Sequence, residues 1–384
     1  MKNLEKILEW NDGAVEYEKR LLQKVSEYES IIIFGAGIGG KMTLDLLDEN
    51  GLRQKVKAFS DNNINKIGTS YYGVPVIEPH MIDEYRNKTL VLVSCTAFDI
   101  ISDQVCGFGI DREDIYYFQP AGISAKKNED MQFIKKYIID YSFVYNMLQD
   151  DISRLIYSHL LNYRISKNKI WLEKMKPVVS KENEQYFDKD ILDKYIFEDI
   201  FIDAGSYRGD TLDNFFDCYP TWGGNYYCLE ASEEIFAELE EHIKKRGNCD
   251  KVHPIKCAVW NEEGHLCFDS FTYGGGGGSR VSEQGTEVQC DSLDNLFRGK
   301  PVSFIKMDIE GAERNGLTGA REIIDKSVPI LAICIYHKPE DFFDIPLLIE
   351  HIKPNEYEYF IRQYRYGQSE TVLYAMPKSR KVNK

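Results

Sequence analysis

Two short segments of the chain share one plan, an apolar run that leads directly into a glycine-containing turn. The first is IIIFGAGIGG at residues 31–40, and the second is FIDAGSYRGD at residues 201–210. Such a run before a glycine turn is typical of a buried strand in a parallel sheet, with a helix after the turn. Because the plan occurs in each half of the chain, we expect two α/β units.

Composition narrows the class of protein. The 384 residues are enough for two domains, and the formal net charge of −15 repels phosphate backbones, so nucleic acid is not expected as a partner. The nine cysteines form no C-x-x-C pair, which argues against a zinc site or a disulfide framework. No apolar run approaches the ~20 residues of a membrane span. The first residues also lack a secretory signal. We therefore expect a cytoplasmic protein with no membrane partner.

The pattern of apolar and glycine residues predicts an α/β fold in five parts. These are an N-terminal helical segment (1–28), a Rossmann-like domain (29–120), a helical connector (121–198), a second α/β domain (199–377) and a disordered basic tail (378–384). In the second domain, strands are predicted at 200–203, 225–230, 252–260, 302–309 and 329–337. The alternating segments 357–364 and 370–376 predict an antiparallel hairpin that closes this sheet.

The downstream turn carries an acidic residue that the first turn lacks. Asp203 ends the apolar run, and Gly205 and Gly209 allow a tight turn beneath a ligand. A carboxylate there would repel a pyrophosphate but attract an ammonium, such as the amino group of S-adenosylmethionine. Glu230 ends the next strand, where an acid can accept both ribose hydroxyls. The alternative is that Asp203 only caps a turn.

Charged residues also mark the later strands of this unit. Alternation places Lys306, Asp308 and Glu310 on one side of a buried strand, where charges are costly unless paired or functional. Lys306 has a structural alternative, an ion pair with one of the carboxylates. His337 follows the next strand and can accept a proton near neutral pH, or it is a solvated loop residue.

Residues 180–377 resemble the FkbM-type S-adenosylmethionine-dependent methyltransferases. The similar segments are QYFD (185–188), FIDAGSYRGDT (201–211), YCLEAS (227–232), AVW (258–260), FIKMDIEGAE (304–313) and the closing hairpin. The resemblance implies a class I methyltransferase sheet with S-adenosyl-L-methionine as cofactor. The residues it assigns to the cofactor are Asp203, Gly205, Ser206, Tyr207 and Gly209 at the methionine end, Glu230 and Ala231 at the ribose, Ala258 and Val259 near the adenine, and Asp308 beside the methyl group.

The same resemblance implies methyl transfer to a hydroxyl, often of a sugar in a surface glycan or of a natural product. A hydroxyl needs a base or a hydrogen-bond acceptor as it attacks. The candidates, in order, are His337, Glu310 and Asp308, with Lys306 beside them. No metal is expected, because the acidic spacing supplies no dedicated oxygen cage.

The stretch TYGGGGGSR is not a phosphate loop, since it does not join a strand to a helix. We interpret it as a mobile loop over the active site that brings Ser279 and Arg280 to the substrate. A plain surface loop is the alternative.

The first turn has its own candidate site, formed by Gly35, Gly37, Gly40, Asp61 and Asn62. This region resembles small Rossmann-like domains beside sugar-modifying enzymes, such as the nucleotide-sugar-binding part of certain bacterial sugar acetyltransferases. That resemblance implies a nucleotide-linked sugar or another nucleotide as ligand. A structural or dimerising domain in a homo-oligomer is the alternative. If this turn were the working end, the protein would be an NAD-dependent sugar oxidoreductase or a non-catalytic nucleotide-binding protein.

Overall fold

The computed structural model describes residues 3–10, 13–85, 88–95, 98–118, 129–247, 250–270, 279–281 and 285–382. It confirms the α/β class: two mostly parallel sheets lie in separate parts of the chain, and helices connect most of their parallel strands. Among the described residues, no helix is both long enough and apolar enough to cross a bilayer.

The first sheet is built from the N-terminal part of the chain. Its elements are α1 (Gly13–Ser26), β1 (Ser30–Phe34), α2 (Ile38–Glu49), β2 (Val56–Ser60), β3 (Ser70–Tyr71), β4 (Val74–Ile77), β5 (Thr89–Val93), α3 (Phe98–Gly107) and β6 (Ile115–Tyr117). The strand order is β3-β4-β2-β1-β5-β6, and all pairings are parallel except β3 with β4. This is a Rossmann-like order, with the first glycine turn between β1 and α2.

A helical connector joins the two sheets. Its helices are α4 (Glu129–Lys136), α5 (Ile138–Met147), α6 (Asp151–Ser166), α7 (Ile170–Met175) and α8 (Lys189–Leu192). Apolar side chains of α6 belong to one buried cluster with residues of both sheets, such as Ile32 and Ile333. Polar contacts join it to the second domain: Tyr157 donates to the Phe342 carbonyl (3.2 Å) and Arg164 to the Tyr336 carbonyl (3.2 Å).

The second sheet has seven strands in the order β16-β17-β15-β14-β7-β8-β9. Its elements are β7 (Ile200–Ala204), α9 (Asp210–Cys218), β8 (Asn225–Glu230), α10 (Glu233–Arg246), β9 (Val252–Lys256), β14 (Val302–Met307), α12 (Glu313–Thr318), α13 (Arg321–Ser327), β15 (Ile330–Cys334), α14 (Asp341–Ile352), β16 (Tyr357–Gln363) and β17 (Thr371–Pro377). The central strands are parallel, and β17 pairs antiparallel with both β15 and β16. The predicted closing hairpin is therefore confirmed.

Sequence reasoning missed a third, smaller sheet. It contains β10 (Ala258–Val259), β11 (Gly264–Ser270), β12 (Ser279–Val281) and β13 (Thr286–Asp291), with α11 (Leu293–Leu296) after it. The strand predicted at 252–260 is divided between β9 and β10, because β10 leaves the main sheet to pair with β13. The predicted strands at 302–309 and 329–337 end earlier, which places Asp308, Glu310 and His337 in the turns that follow them.

The basic tail was predicted to be disordered, and the structure differs through Val382. Lys378–Arg380 form a 3₁₀ turn. The Arg380 guanidinium donates to the carbonyls of Val328 and Ser327, both at 2.8 Å, and Lys381 pairs with Glu358. Arg380 thus satisfies carbonyls at the C-terminal end of α13, a favourable position for a basic side chain.

An aromatic contact links the two sheets near the closing hairpin. Tyr366, in the turn between β16 and β17, lies against Phe98 and Tyr117 of the first domain, with ring centroids 5.4 and 5.7 Å apart. Its hydroxyl donates to Glu173 of the connector at 2.8 Å. The hairpin turn is thus fixed from the N-terminal side.

Candidate active site

A cavity of about 580 Å³ lies above the carboxyl ends of β7, β8 and β14. Its volume is within the range of small-molecule sites. Predicted residues from several segments line it together: Gly205, Tyr207, Glu230, Ala231, Ala258, Val259, Lys306, Asp308 and Glu310. Parallel strands place their carboxyl ends at one edge, which explains why segments distant in sequence converge.

The turn after β7 requires glycine at its centre. Gly205 has φ +78°, and a Cβ there would lie 1.8 Å from the Asp308 carbonyl oxygen. The Gly205 and Ser206 amides donate to the Leu229 carbonyl at 2.9 and 3.1 Å. Gly209, with φ +94°, begins α9. Gly205 lines the cavity, whereas Ser206 is fully buried behind it, its hydroxyl donating to the Asp203 carbonyl.

Glu230 is positioned by backbone donors at the end of β8. Its carboxylate accepts from the amides of Tyr207 (3.2 Å) and Ser232 (2.8 Å). Burial raises the pKa of Glu230, partly offset by the backbone hydrogen bonds. The carboxylate still faces the cavity, in the place expected for a ribose binder.

Asp203 lies behind the cavity wall and does not line it. The side chain is fully buried. One carboxylate oxygen is 2.9 Å from the Lys306 ammonium, and the other accepts from the Tyr226 hydroxyl at 2.9 Å. The ammonium that the sequence led us to expect at Asp203 is therefore supplied by Lys306 of the protein itself.

Lys306 joins β14 to the glycine turn. Its ammonium also donates to the Gly205 carbonyl at 2.6 Å. Burial alone would lower the pKa of Lys306, but the charges of Asp203 and Asp308 outweigh it and raise the pKa. Lys306 therefore stays charged, and the structure favours the structural alternative for this residue.

Asp308 accepts hydrogen bonds from two tyrosines. The Tyr186 hydroxyl lies 2.8 Å from one oxygen and the Tyr336 hydroxyl 3.3 Å from the other. Burial would raise the pKa of Asp308, but His337, Lys306 and the Tyr186 hydrogen bond lower it. The group is a carboxylate at neutral pH, fixed in orientation.

His337 is enclosed by carboxylates. Its Nδ1 is 3.1 Å from Glu313, and its Nε2 is 3.4 Å from Asp308 and 3.5 Å from Glu310. Burial alone would lower the pKa of His337, but the hydrogen bond and charge of Glu313, with the other two acids, raise it to about 10. The imidazole is thus protonated at neutral pH and cannot accept a proton there. This differs from the prediction, in which His337 was the first candidate for the base. His337 contacts the cavity's acids but is not among the residues that line it.

Glu310 lines the cavity in a strained backbone conformation. Its φ is +56°, uncommon outside glycine. Burial raises the pKa of Glu310 to about 7, although the charge of His337 opposes this shift. A carboxyl with that pKa is half ionised near neutrality, as suits a general base.

Asp308, Glu313 and His337 also satisfy the spacing of a cation site, since their donor atoms lie within 4.8 Å of one another. In the structure each imidazole nitrogen already faces a carboxylate. The expectation of no metal stays a prediction.

Several residues of the cavity were not identified from the sequence as site residues. They include Glu182, Gln185, Tyr186, Tyr336, Arg365 and Glu370. Gln185 and Tyr186 lie in the QYFD segment, which was noticed only as part of a resemblance. Arg365 and Glu370 flank the hairpin turn, whose approach to the cavity no local pattern reveals.

The first glycine turn is brought close to Asp61, as predicted. Gly35 has φ +108°, and a Cβ on Gly40 would lie 2.0 Å from the Gly35 carbonyl oxygen. The Asp61 carboxylate accepts from the Ala36 amide (2.8 Å) and pairs with Lys66 (3.1 Å).

The other two predicted residues of this turn differ in their surroundings. Asn62 exchanges hydrogen bonds with Gln104. At Gly37 an added Cβ would meet nothing within 4 Å. The positive φ thus accounts for Gly35 and packing for Gly40, and Gly37 has open space beside it.

The pentaglycine and the side chains of Ser279 and Arg280 lie outside the described residues, so that interpretation stays a prediction.

The residues present fit S-adenosylmethionine. Close approach to the backbone is possible at Gly205, the Glu230 carboxylate faces the cavity, and Ala258, Val259 and Ile235 give an apolar surface beside it. The acids Asp308 and Glu310, which also line the cavity, suit a cofactor that carries a positive sulfonium.

Comparisons with known proteins agree with this geometry. Residues 203–366 match the family model of the Methyltransferase FkbM domain, and residues 27–116 match that of the C2185-like N-terminal domain. No curated protein matches the chain.

Among solved structures, the chain is similar to the methyltransferase FkbM from Methylobacillus flagellatus KT, with 20% identity, a TM-score of 0.64, and coverage of 95% of this chain and 99% of that one. A putative rRNA-methylase from Clostridium thermocellum (12% identity, TM-score 0.35, 54% of this chain and 98% of that one) is much less similar. A fibrillarin from Aeropyrum pernix is also much less similar, with 10% identity, a TM-score of 0.32, and coverage of 50% of this chain and 72% of that one. The similarity to the rRNA-methylase and to the fibrillarin is too low to support an argument. The similarity to the methyltransferase FkbM shows the fold. Residues 203–366 of the chain thus match the Methyltransferase FkbM domain, and the chain shares its fold with a methyltransferase FkbM.

Proposed function

We propose that the protein transfers a methyl group from S-adenosylmethionine to a hydroxyl of a sugar, in the biosynthesis of a surface glycan or a natural product. The observation that carries the proposal is Glu310: it lines the cavity next to Asp308, with a pKa raised to about 7. A hydroxyl gives up its proton as its oxygen is methylated, so this reaction demands a proton acceptor at this position. An amine that is already deprotonated would not need one.

Two acids of the cavity, Glu310 and Asp308, have distinct roles in this proposal. When bound, the cofactor supplies an electrophilic methyl group, which leaves its sulfur as the new carbon–oxygen bond forms. The acceptor hydroxyl donates its proton to the Glu310 carboxylate. Asp308, held by Tyr186 and Tyr336, stabilises positive charge on the cofactor side. Positioning of the two reactants adds much of the rate.

His337 keeps Glu310 ionised in this scheme. Its positive charge, 3.5 Å away, lowers the pKa of Glu310 against the effect of burial. His337 is therefore a positioning and electrostatic residue, and Glu310 is the base.

The N-terminal domain is assigned to acceptor recognition in this proposal. The support is its contact with the hairpin turn through Tyr366, since the neighbouring Arg365 and Glu370 line the cavity. We propose a cytoplasmic enzyme, without nucleic acid or membrane partners, in which homo-oligomer formation would use the same domain.

The test is methyl transfer from ¹³C-methyl S-adenosylmethionine to a panel of glycosides, followed by NMR. The expected product shows a new O-methyl carbon on one sugar position. A methyl group on nitrogen or carbon, or no transfer to any hydroxyl acceptor, would refute the proposal. Calorimetric titration with S-adenosylhomocysteine and with NAD tests the alternative of an NAD-dependent oxidoreductase. Binding of NAD alone would make the first glycine turn the cofactor site.

A further inference from the structure

Four polar residues that line the cavity contact one another, and we call them the acceptor wall: Glu182, Gln185, Arg365 and Glu370. They come from the end of the connector and from the turn between β16 and β17. This wall continues to Tyr186 and Asp308, so it lies beside the residues proposed for catalysis.

The acceptor wall is a connected network of hydrogen bonds and ion pairs. The Gln185 amide donates to Glu370 at 2.7 Å and to the Tyr186 hydroxyl at 3.1 Å. The Arg365 guanidinium pairs with Glu182, its Nε donating at 2.8 Å, and lies 3.7 Å from Glu370. The side chains hold one another in place, which is a preorganised arrangement for a polar ligand.

The charges of the cavity do not suit an anion. The described residues that line it include six acids, Glu182, Asp210, Glu230, Asp308, Glu310 and Glu370, and two bases, Lys306 and Arg365. Both bases are already paired with carboxylates. Among the described lining residues, no cation is therefore available to a phosphate or carboxylate of the acceptor.

We infer that the acceptor wall binds a neutral polyhydroxylated ring and rejects acceptors whose reacting ring carries a carboxylate or phosphate. Carboxylates and an amide oxygen accept hydrogen bonds from hydroxyls, and the excess of acids over bases in the lining repels an anion. This inference rests on the proposed function and names its substrate class. It places the diphosphate of any nucleotide-linked acceptor outside this cavity.

The experiment measures binding of matched sugars to the full chain saturated with S-adenosylhomocysteine, by saturation-transfer NMR. The probes are methyl galactoside with methyl galacturonide, and methyl glucoside with methyl glucuronide, so each pair differs in one carboxylate. We expect binding of at least one neutral member, and at least about tenfold weaker binding of its charged partner. In Glu370→Gln and Glu182→Gln the ratio between partners should shrink, whereas Glu241→Gln, at an exposed site on α10, should leave it unchanged.

Stronger binding of a charged member, or no binding of either neutral member, would overturn the inference. The methyl-transfer assay separates this from the proposed function. If neutral sugars bind preferentially and none is methylated, the acceptor wall stands and the assignment of O-methyl transfer fails. If charged sugars bind and are methylated on oxygen, the assignment of O-methyl transfer stands and the inference about the acceptor wall fails.

Discussion

The Nδ1 atom of His337 lies 3.1 Å from the carboxylate of Glu313, and Glu313 is fully buried. The same carboxylate accepts from the Ile309 amide at 2.9 Å, which fixes its position. Because His337 turns its other nitrogen toward Asp308 and Glu310, Glu313 determines both the charge and the orientation of the imidazole beside the proposed base.

Replacing Glu313 should change how stability depends on pH. The pKa of His337 is raised from 6.5 to about 10 in the folded protein, chiefly by Glu313 against the lowering effect of burial. The stability this gives is complete below pH 6.5 and is lost as the pH rises toward 10. Urea unfolding across this range should show the loss in the native protein and a smaller loss in Glu313→Gln. The exposed control Glu322→Gln should behave like the native protein; equal pH dependence in all three would contradict the assignment.

His337→Gln should move the pH profile of methyl transfer. The His337 charge lowers the pKa of Glu310, so its removal raises that pKa and shifts the rise in kcat to higher pH. His351→Asn, at an exposed residue near the end of α14, is the control. A profile that stays in place would show that Glu310 does not titrate beside His337.

The assay is repeated with EDTA, and loss of activity restored by Mn²⁺ would favour a cation at Asp308, Glu313 and His337.

Sequence patterns predicted the strands and the position of the glycine turn because both follow from local rules. Apolar periodicity predicted β7, β8 and β14. Glycine is required at position 205 because the backbone of Asp308 lies close to it, as is common in glycine-containing turns. Charge was harder to predict, since the pKa of His337 depends on Glu313, which is distant in sequence and on another element. The salt bridge between Lys306 and Asp203 was considered only as an alternative. The contribution of Gln185 and Glu370 depends on long-range packing of the connector against the hairpin.

Gly205→Ala should abolish cofactor binding and destabilise the domain. Its φ is +78°, and the added Cβ would lie 1.8 Å from the Asp308 carbonyl oxygen. Gly299→Ala is a matched control, since Gly299 has φ +74° but open space around the added atom. The control should lose only the roughly 1–2 kcal/mol of left-handed strain. Thermal unfolding and calorimetry with S-adenosylhomocysteine measure both effects, and equal losses in the two variants would contradict the steric argument.

Lys306→Met should be strongly destabilising. It leaves the Asp203 carboxylate buried without its ammonium partner, a change that costs about 3–5 kcal/mol for buried pairs. Lys326→Met removes an exposed pair with Glu322 and should have little effect. Chemical denaturation gives the free energy of unfolding for each. Similar values for the two variants would show that the Lys306–Asp203 pair does not stabilise the turn.

The most direct test of the account is the single-turnover rate of methyl transfer in Glu310→Gln, with the cofactor saturating and an active acceptor from the glycoside panel. The carboxamide keeps the shape of the side chain but cannot take the hydroxyl proton. We predict a loss of roughly 10²–10⁴ in rate, with unchanged affinity for S-adenosylhomocysteine. A rate equal to that of the native protein would contradict the assignment of Glu310 as the base and with it the proposed mechanism.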